Sequence, residues 1–337
     1  MLAGLQLLSQ PSLHAAQKKK EVKPSEPAQQ AEKTYKAPPG MKKTVILVSP
    51  FDEGLLLPLI KFFDGMTGLT CRQQQQKGRT LPDATFDLYL GPLMKKPPQE
   101  VHPYDSPRWN GLDPSLHRNG LFTWSSWYSC LSLNTLIPVD QEKLRANALD
   151  TLFGKLTAID PGNDLHTNAI LSALYARYGK DAVKGIAEAI PVYRSTREEL
   201  AFSVESGQYA AALGAEGFFR SSVARGYPLA IDFGSLNAGR YPTTTVFGKN
   251  VAFIPRAAPN REGAEYLIDF MAEEAFQSFL ADTPFVPLNP ELLTNKGLQI
   301  RFPASVVEWV YDENELIEAR LLWEGLAFPG GVKDLLR

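Results

Sequence analysis

From residue 44 the chain alternates short continuous apolar runs with stretches whose apolar residues recur every three or four positions. Thr44-Val45-Ile46-Leu47-Val48 has no polar alternation, so it reads as a strand buried on both faces. Ser49-Pro50-Phe51-Asp52 follows as a turn in which Ser49 or Asp52 can cap a helix. Leu55, Leu56, Leu59, Ile60 and Phe63 then share one helical face, and Gly65 and Gly68 end that helix. A second strand is expected at 69–72 and a third at 86–90, closing on Gly91-Pro92. This β-α-β-loop-β order opens a doubly wound sheet, where ligands lie outside the carboxyl ends of the strands. Ser49, Phe51 and Gly91 fall at those ends.

The pattern continues to the C-terminal part. Residues 93–120 are Pro-rich and irregular. Residues 122–136 are aromatic-rich and alternate, predicting a long strand. A turn at 159–164 leads into a helix over 165–178, closed by Gly179, and a further helix covers 182–190. Ser195 with Glu198, or Thr196 with Glu199, makes a capping box for a helix that stops at Ser206-Gly207. Strands are expected at 209–213 and 246–255. Asn260 caps a single helix over 262–282, and a last amphipathic helix runs over 314–323. No internal repeat is present.

Composition narrows the classes. The chain has 337 residues, 44% of them apolar and 21% charged, with a net charge of −2. That suits a globular protein with a sizeable core. It lacks the basic excess of a nucleic-acid binder, so no nucleic-acid partner is expected. Residues 17–43 carry Lys, Glu, Pro, Ala and Gln without an apolar stripe and read as a flexible linker. Before them, Met1 to Leu8 is apolar and Leu13-His14-Ala15-Ala16 is like a cleavage site. No basic residue precedes Lys18, so the segment reads either as the back half of an export signal or as a disordered tail. No run of 18 apolar residues predicts a membrane span. Cys71 and Cys130 have no metal-ligand spacing. They are either two separate buried thiols or one disulfide.

Catalytic fingerprints are missing. The sequence holds no GxGxxG, GxxxxGK[ST], GxSxG or HExxH motif, and none of His14, His102, His117 and His166 lies at helical ligand spacing from another. No cofactor, no metal and no catalytic residue is expected.

Several segments resemble one family. "TVILVSPFDEGLLLPLIKFFDGMTGL", "FDLYLGP", "TWSSWYSCLSLNT", "IDPGNDLHTNAILSALYARYG", "IPVYRSTREELAFSVESGQYAAALG" and, most specifically, "YPTTTVFGKNVAFIPRAAPNREGAEYLIDFMAEEAFQSFLADTPFVPLNP" are similar to type 2 periplasmic solute-binding proteins of ABC transporters. The likeness spans residues 44–290 and lies in the branch serving ferric iron, phosphonates and phosphorylated solutes. That branch includes a regulatory relative in phosphoglycerate transport that informs a sensor kinase. The resemblance implies an α/β fold of two lobes, each a doubly wound sheet, with the ligand cleft between them. It assigns 43–125 plus 246–290 to an N-terminal lobe and 126–245 plus 291–337 to a C-terminal lobe, with 1–42 outside both.

The same resemblance implies a non-enzymatic periplasmic protein, acting as a monomer, whose lobes close on a small anionic organic solute, with phosphorylated solutes and phosphonates among the candidates. Its partner is an ABC permease or, in the alternative, a membrane sensor; an enzyme on the same fold is a third reading. Ferric members carry adjacent tyrosines where this chain has Glu216-Gly217-Phe218-Phe219, and a phenyl ring offers no oxygen to Fe(III). Phe218 and Phe219 can instead wall an organic ligand or pack in the core. Asn163, His166 and Thr167 lie at a helix start, a natural anion site, although Asp164 there is either the cap or a repelling charge. Ser125, Ser126 and Trp127 lie where the chain crosses between lobes. Tyr241, Thr243 and Thr244 offer hydroxyls before the return strand.

Overall fold

The computed structural model describes residues 35–74, 85–97, 99–233, 245–294, 298, 300–303 and 305–327. The expected export segment and most of the linker lie outside them. The first part of the fold contains β1 (Thr44–Val48), α1 (Glu53–Thr67), β2 (Thr70–Gln73), β3 (Leu88–Pro92), the two-residue β4 (His117–Arg118) and the fourteen-residue β5 (Leu121–Asn134). Then come α2 (Gln141–Ala146), α3 (Ala148–Thr151), β6 (Leu156–Ile159), α4 (Leu165–Tyr178), α5 (Lys180–Ala189), β7 (Val192–Arg194), α6 (Arg197–Glu205), β8 (Ala211–Ala215), α7 (Gly217–Ala224) and β9 (Leu229–Asp232). The remainder holds β10 (Thr245–Phe253), α8 (Arg261–Met271), α9 (Glu274–Leu280), α10 (Glu291–Thr294), β11 (Val306–Trp309) and α11 (Glu313–Ala327).

The strands join in the order β2-β1-β3-β10-β5-β8-β6-β7, with β11 on β10, and β4 and β9 on β5. β1 pairs parallel with both β2 and β3, in keeping with the unbroken apolar run of β1. β10 returns antiparallel to both β3 and β5. β5 ties two sheet segments together. Its first half pairs with β10, as far as Tyr128 opposite Phe247. From Ser129 it pairs with β8, and from Leu131 also with β9. The chain therefore passes from one segment to the other at Tyr128–Ser129, three residues beyond the expected crossing at Ser125.

Local chemistry sets the element ends. Asp52, not Ser49, caps α1 by accepting from Leu55 N, and Gly68 closes it at φ 71°. Asp164 caps α4 and Thr196 caps α6. Buried Asp87 accepts from Ile46 N and Asn260 N, while Asn260 Nδ2 donates to Lys42 O and Thr44 O, so β1 and the start of α8 are fixed to each other. The helix expected over 262–282 is two helices, because Glu273 is extended (ψ 145°) and starts α9 anew. β3 begins two residues later than expected and contains Gly91, opposite Val251. α2, α3, α7, α10, β4, β9 and β11 lie where the sequence pattern predicts no element.

Candidate functional site

Four residues singled out in the sequence meet where β5 changes partners. Phe51, just after β1, stacks on His166 of α4 with ring centroids 5.8 Å apart and also meets Phe285 at 5.4 Å. Trp127 stands edge-on to His166 at 5.0 Å, and Phe218 of α7 edge-on at 5.3 Å. All four are buried. Aromatic edges and faces thus surround the imidazole, and its Nδ1, 3.7 Å from Asp164 Oδ1, has no hydrogen-bond partner.

Other candidates make structural bonds. Ser49 Oγ accepts from Phe51 N within the turn. Gly91 is buried beneath the Tyr89 ring and Pro50. Ser125 Oγ accepts from Asn250 Nδ2 at 2.8 Å. Ser126 exchanges backbone hydrogen bonds with Val286. Phe219 is fully buried, and Asn163 is exposed. Tyr241, Thr243 and Thr244 lie outside the described residues.

The helix start proposed as an anion seat is filled by its own cap. Asp164 Oδ2 accepts from Thr167 N at 2.7 Å and from Thr167 Oγ1 at 3.0 Å. Burial pushes the Asp164 carboxyl up, but His166, the Arg197 guanidinium and the Thr167 N–H outweigh it and hold it below the usual carboxylate range. Of the two readings of Asp164, the structure shows capping.

Two groups at this junction, Arg197 and Arg220, had not been singled out, and they flank the candidate Glu216 in the chain. Arg197, the first residue of α6, forms an ion pair with Asp52 at the start of α1. It lies 3.7 Å from Asp164 Oδ1 and 5.1 Å from the centre of the Phe218 ring. A cation in a helix's first turn opposes the helix dipole, and that misplacement was the available signal. Arg220 is 2% exposed and donates from Nη2 to Thr283 O and Phe285 O. Its Nε lies 3.7 Å from Glu216 Oε1, while Nε and Nη1 lack hydrogen bonds. The i,i+4 spacing of Glu216 and Arg220 announced that pair. Glu216 Oε2 accepts from Tyr128 N. Burial raises the Glu216 carboxyl despite Arg220, and burial lowers the Arg220 guanidinium.

Beside this junction lies a cavity of ≈ 700 Å³. Its walls come from the start of α1 (Gly54, Leu55), from α6, from α7 and from residues 281–284. Arg197, Arg220 and Arg225 line it, with the Ser221, Ser222 and Thr283 hydroxyls; Glu198, Glu205 and Asp282 line it too. Arg225 faces Glu205 at 3.6 Å. The described residues hold no cluster of three His, Cys, Asp or Glu side chains able to bind a metal ion. Cys71 and Cys130 are free and buried, and burial raises both thiols. Among the described residues no helix is long and apolar enough to cross a membrane.

The sheet order, the shared strand β5 and the return strand β10 are those of the two-lobed type 2 periplasmic-binding-protein fold. Solved structures share it. A ferric binding protein from Campylobacter jejuni superposes with a TM-score of 0.61 at 15% identity, covering 84% of this chain and 99% of its own. The periplasmic binding protein AfuA from Actinobacillus pleuropneumoniae, with fructose-6-phosphate bound, gives 0.59 at 13% identity, covering 84% and 98%. The substrate binding protein of an ABC transporter from Agrobacterium tumefaciens gives 0.58 at 16% identity, covering 85% and 94%. At these identities the likeness is one of fold. By sequence, no family model and no curated protein matches the chain.

Proposed function

We propose that this chain is a periplasmic solute-binding protein that takes up a small organic anion and delivers it to an ABC permease, without making or breaking a bond. In this reading residues 43–125 with 246–290 and residues 126–245 with 291–337 form two lobes that close on the solute. The fold supports a binding role, since the similar structures are of binding proteins. The observation that carries the anion is the ≈ 700 Å³ cavity with three arginines on its wall, beside Glu198, Glu205 and Asp282. The planar guanidinium fork matches carboxylate and phosphate oxygens in pairs. Ferric iron held by a tyrosine pair is disfavoured, because Phe218 and Phe219 stand after β8 and both are buried.

Thermal unfolding of the full chain against phosphate, phosphonates, sugar phosphates, phosphoglycerates, dicarboxylates and ferric citrate tests this. An anion at a hundred times its dissociation constant adds about 2.7 kcal/mol of stability and raises the midpoint. A rise with ferric citrate alone, or with none of the anions, overturns the proposal.

A further inference from the structure

We propose that Arg197 is the anion-recognising group of the ≈ 700 Å³ cavity and that Asp52 is its built-in competitor, so that a carboxylate or phosphate on the solute replaces Asp52 on the guanidinium. This rests on the reading of the chain as a binder of small organic anions.

Arg197 stands between α1 and α4. Its Nη2 meets both Asp52 and, 3.7 Å away, Asp164, and the Phe218 ring lies 5.1 Å from its central carbon. The ring fixes the plane of the fork. The two carboxylates are not equivalent. Asp164 is 2% exposed and tied to Thr167 by two hydrogen bonds. Asp52 is 40% exposed and, besides the ion pair, its side chain holds among the described residues only the Leu55 N–H of its own helix, at 3.1 Å. Asp52 is therefore the partner that can leave for solvent. Gly54 keeps the spot open: a Cβ there would lie 3.1 Å from Asp52 Oδ1 and 3.5 Å from Arg197 Nη1.

When Asp52 swings out it frees the guanidinium of Arg197 from α6 and leaves the Leu55 N–H, at the start of the fifteen-residue α1, shared only with the Asp52 carbonyl at 3.1 Å. Both Arg197 and Leu55 line the cavity. An oxyanion accepting from both would take over the two bonds that Asp52 makes now. With both aspartates ionised, Arg197 faces two negative charges and an incoming anion meets net repulsion; neutralising Asp52 removes it.

The test is calorimetric titration of the full chain with succinate and, separately, with glycerol 3-phosphate. Asp52→Asn is the informative variant, because asparagine caps a helix as well as aspartate does while the charge is lost. It is expected to bind about three- to tenfold more tightly than the wild type, since a competing contact lowers apparent affinity by the fraction of protein it occupies. Arg197→Lys keeps a charge but loses the fork and is expected to bind at least tenfold more weakly. Preference for one probe assigns the oxyanion as carboxylate or phosphate. Binding to Asp52→Asn alone supports the competition in its strongest form. Equal or weaker binding by Asp52→Asn, with the wild type binding normally, overturns the competitor role and leaves the binding function standing. Silence of both proteins towards both probes overturns the anion-binding reading itself.

Discussion

Replacing Asp164 by alanine removes one buried carboxylate with three duties. It caps α4 through Thr167 N, it holds Thr167 Oγ1, and it lies within 3.7 Å of both His166 Nδ1 and Arg197 Nη2. Loss of an aspartate cap costs about 1–2 kcal/mol, and loss of a charge-assisted hydrogen bond costs about 1.5–3 kcal/mol. Against this, the variant no longer desolvates a charge, which brings the expected net loss to about 2 kcal/mol at pH 7. Asp164→Asn keeps the capping oxygen and should lose about 1 kcal/mol. The pH dependence separates cap from charge. Because the native carboxyl titrates below its unfolded value of about 3.9, its contribution is complete above that value. It fades as pH falls towards the native one. Urea unfolding followed by tryptophan fluorescence at pH 7 and at acid pH measures both effects. The gap between wild type and Asp164→Asn should narrow in acid. An Asp164→Ala variant within 0.5 kcal/mol of wild type at pH 7 would refute the capping argument, and a gap that ignores pH would refute the electrostatic one.

Three further outcomes follow from neighbouring residues. Arg220→Met strands Glu216 as a buried charge and should cost about 3–5 kcal/mol, of which Glu216→Gln in the same chain should recover at least about 1 kcal/mol; additive single effects in urea unfolding would show that the pair is not coupled. Because burial raises the native Glu216 carboxyl above its unfolded value, wild-type stability should decline as pH rises through the native value, and Glu216→Gln should abolish that part of the decline. Gly217→Ala places a Cβ against the Pro284 carbonyl, backbone against backbone, and should cost about 1–3 kcal/mol in thermal unfolding; an unchanged midpoint would show that residues 281–284 can move away.

Much of the architecture was legible because it rests on local signals. The unbroken run of β1, the Leu and Phe spacing of α1, and the stretch from Asp164 to Gly179 around α4 all carry their own period and caps. What escaped was set by distant partners. The break at Glu273 leaves no Pro or Gly to mark it. The short strands β9 and β11 exist because β5 and β10 offer them an edge. The candidate site divides in the same way. Phe51 and His166 stand at element ends, Trp127 and Phe218 at positions the family resemblance points to, and the structure packs Phe51, Trp127 and Phe218 around the His166 ring. Asp164 was ambiguous because one residue type serves as cap and as charge. Arg197 acquires its meaning from Asp52, 145 positions earlier in the chain.

The sharing of β5 also carries a consequence in time. Its aromatic first half, with Trp124 and Trp127, has β10 as its long ladder partner. That strand ends about 120 residues further on, at Phe253 rather than soon after Asn134. At a synthesis speed of about 5–20 residues per second, the half-strand waits about 6–24 s for its neighbour. β3 waits for the same neighbour. For that interval the aromatic half-strand lacks its long ladder partner, and it is a place where a chaperone would be expected to hold on.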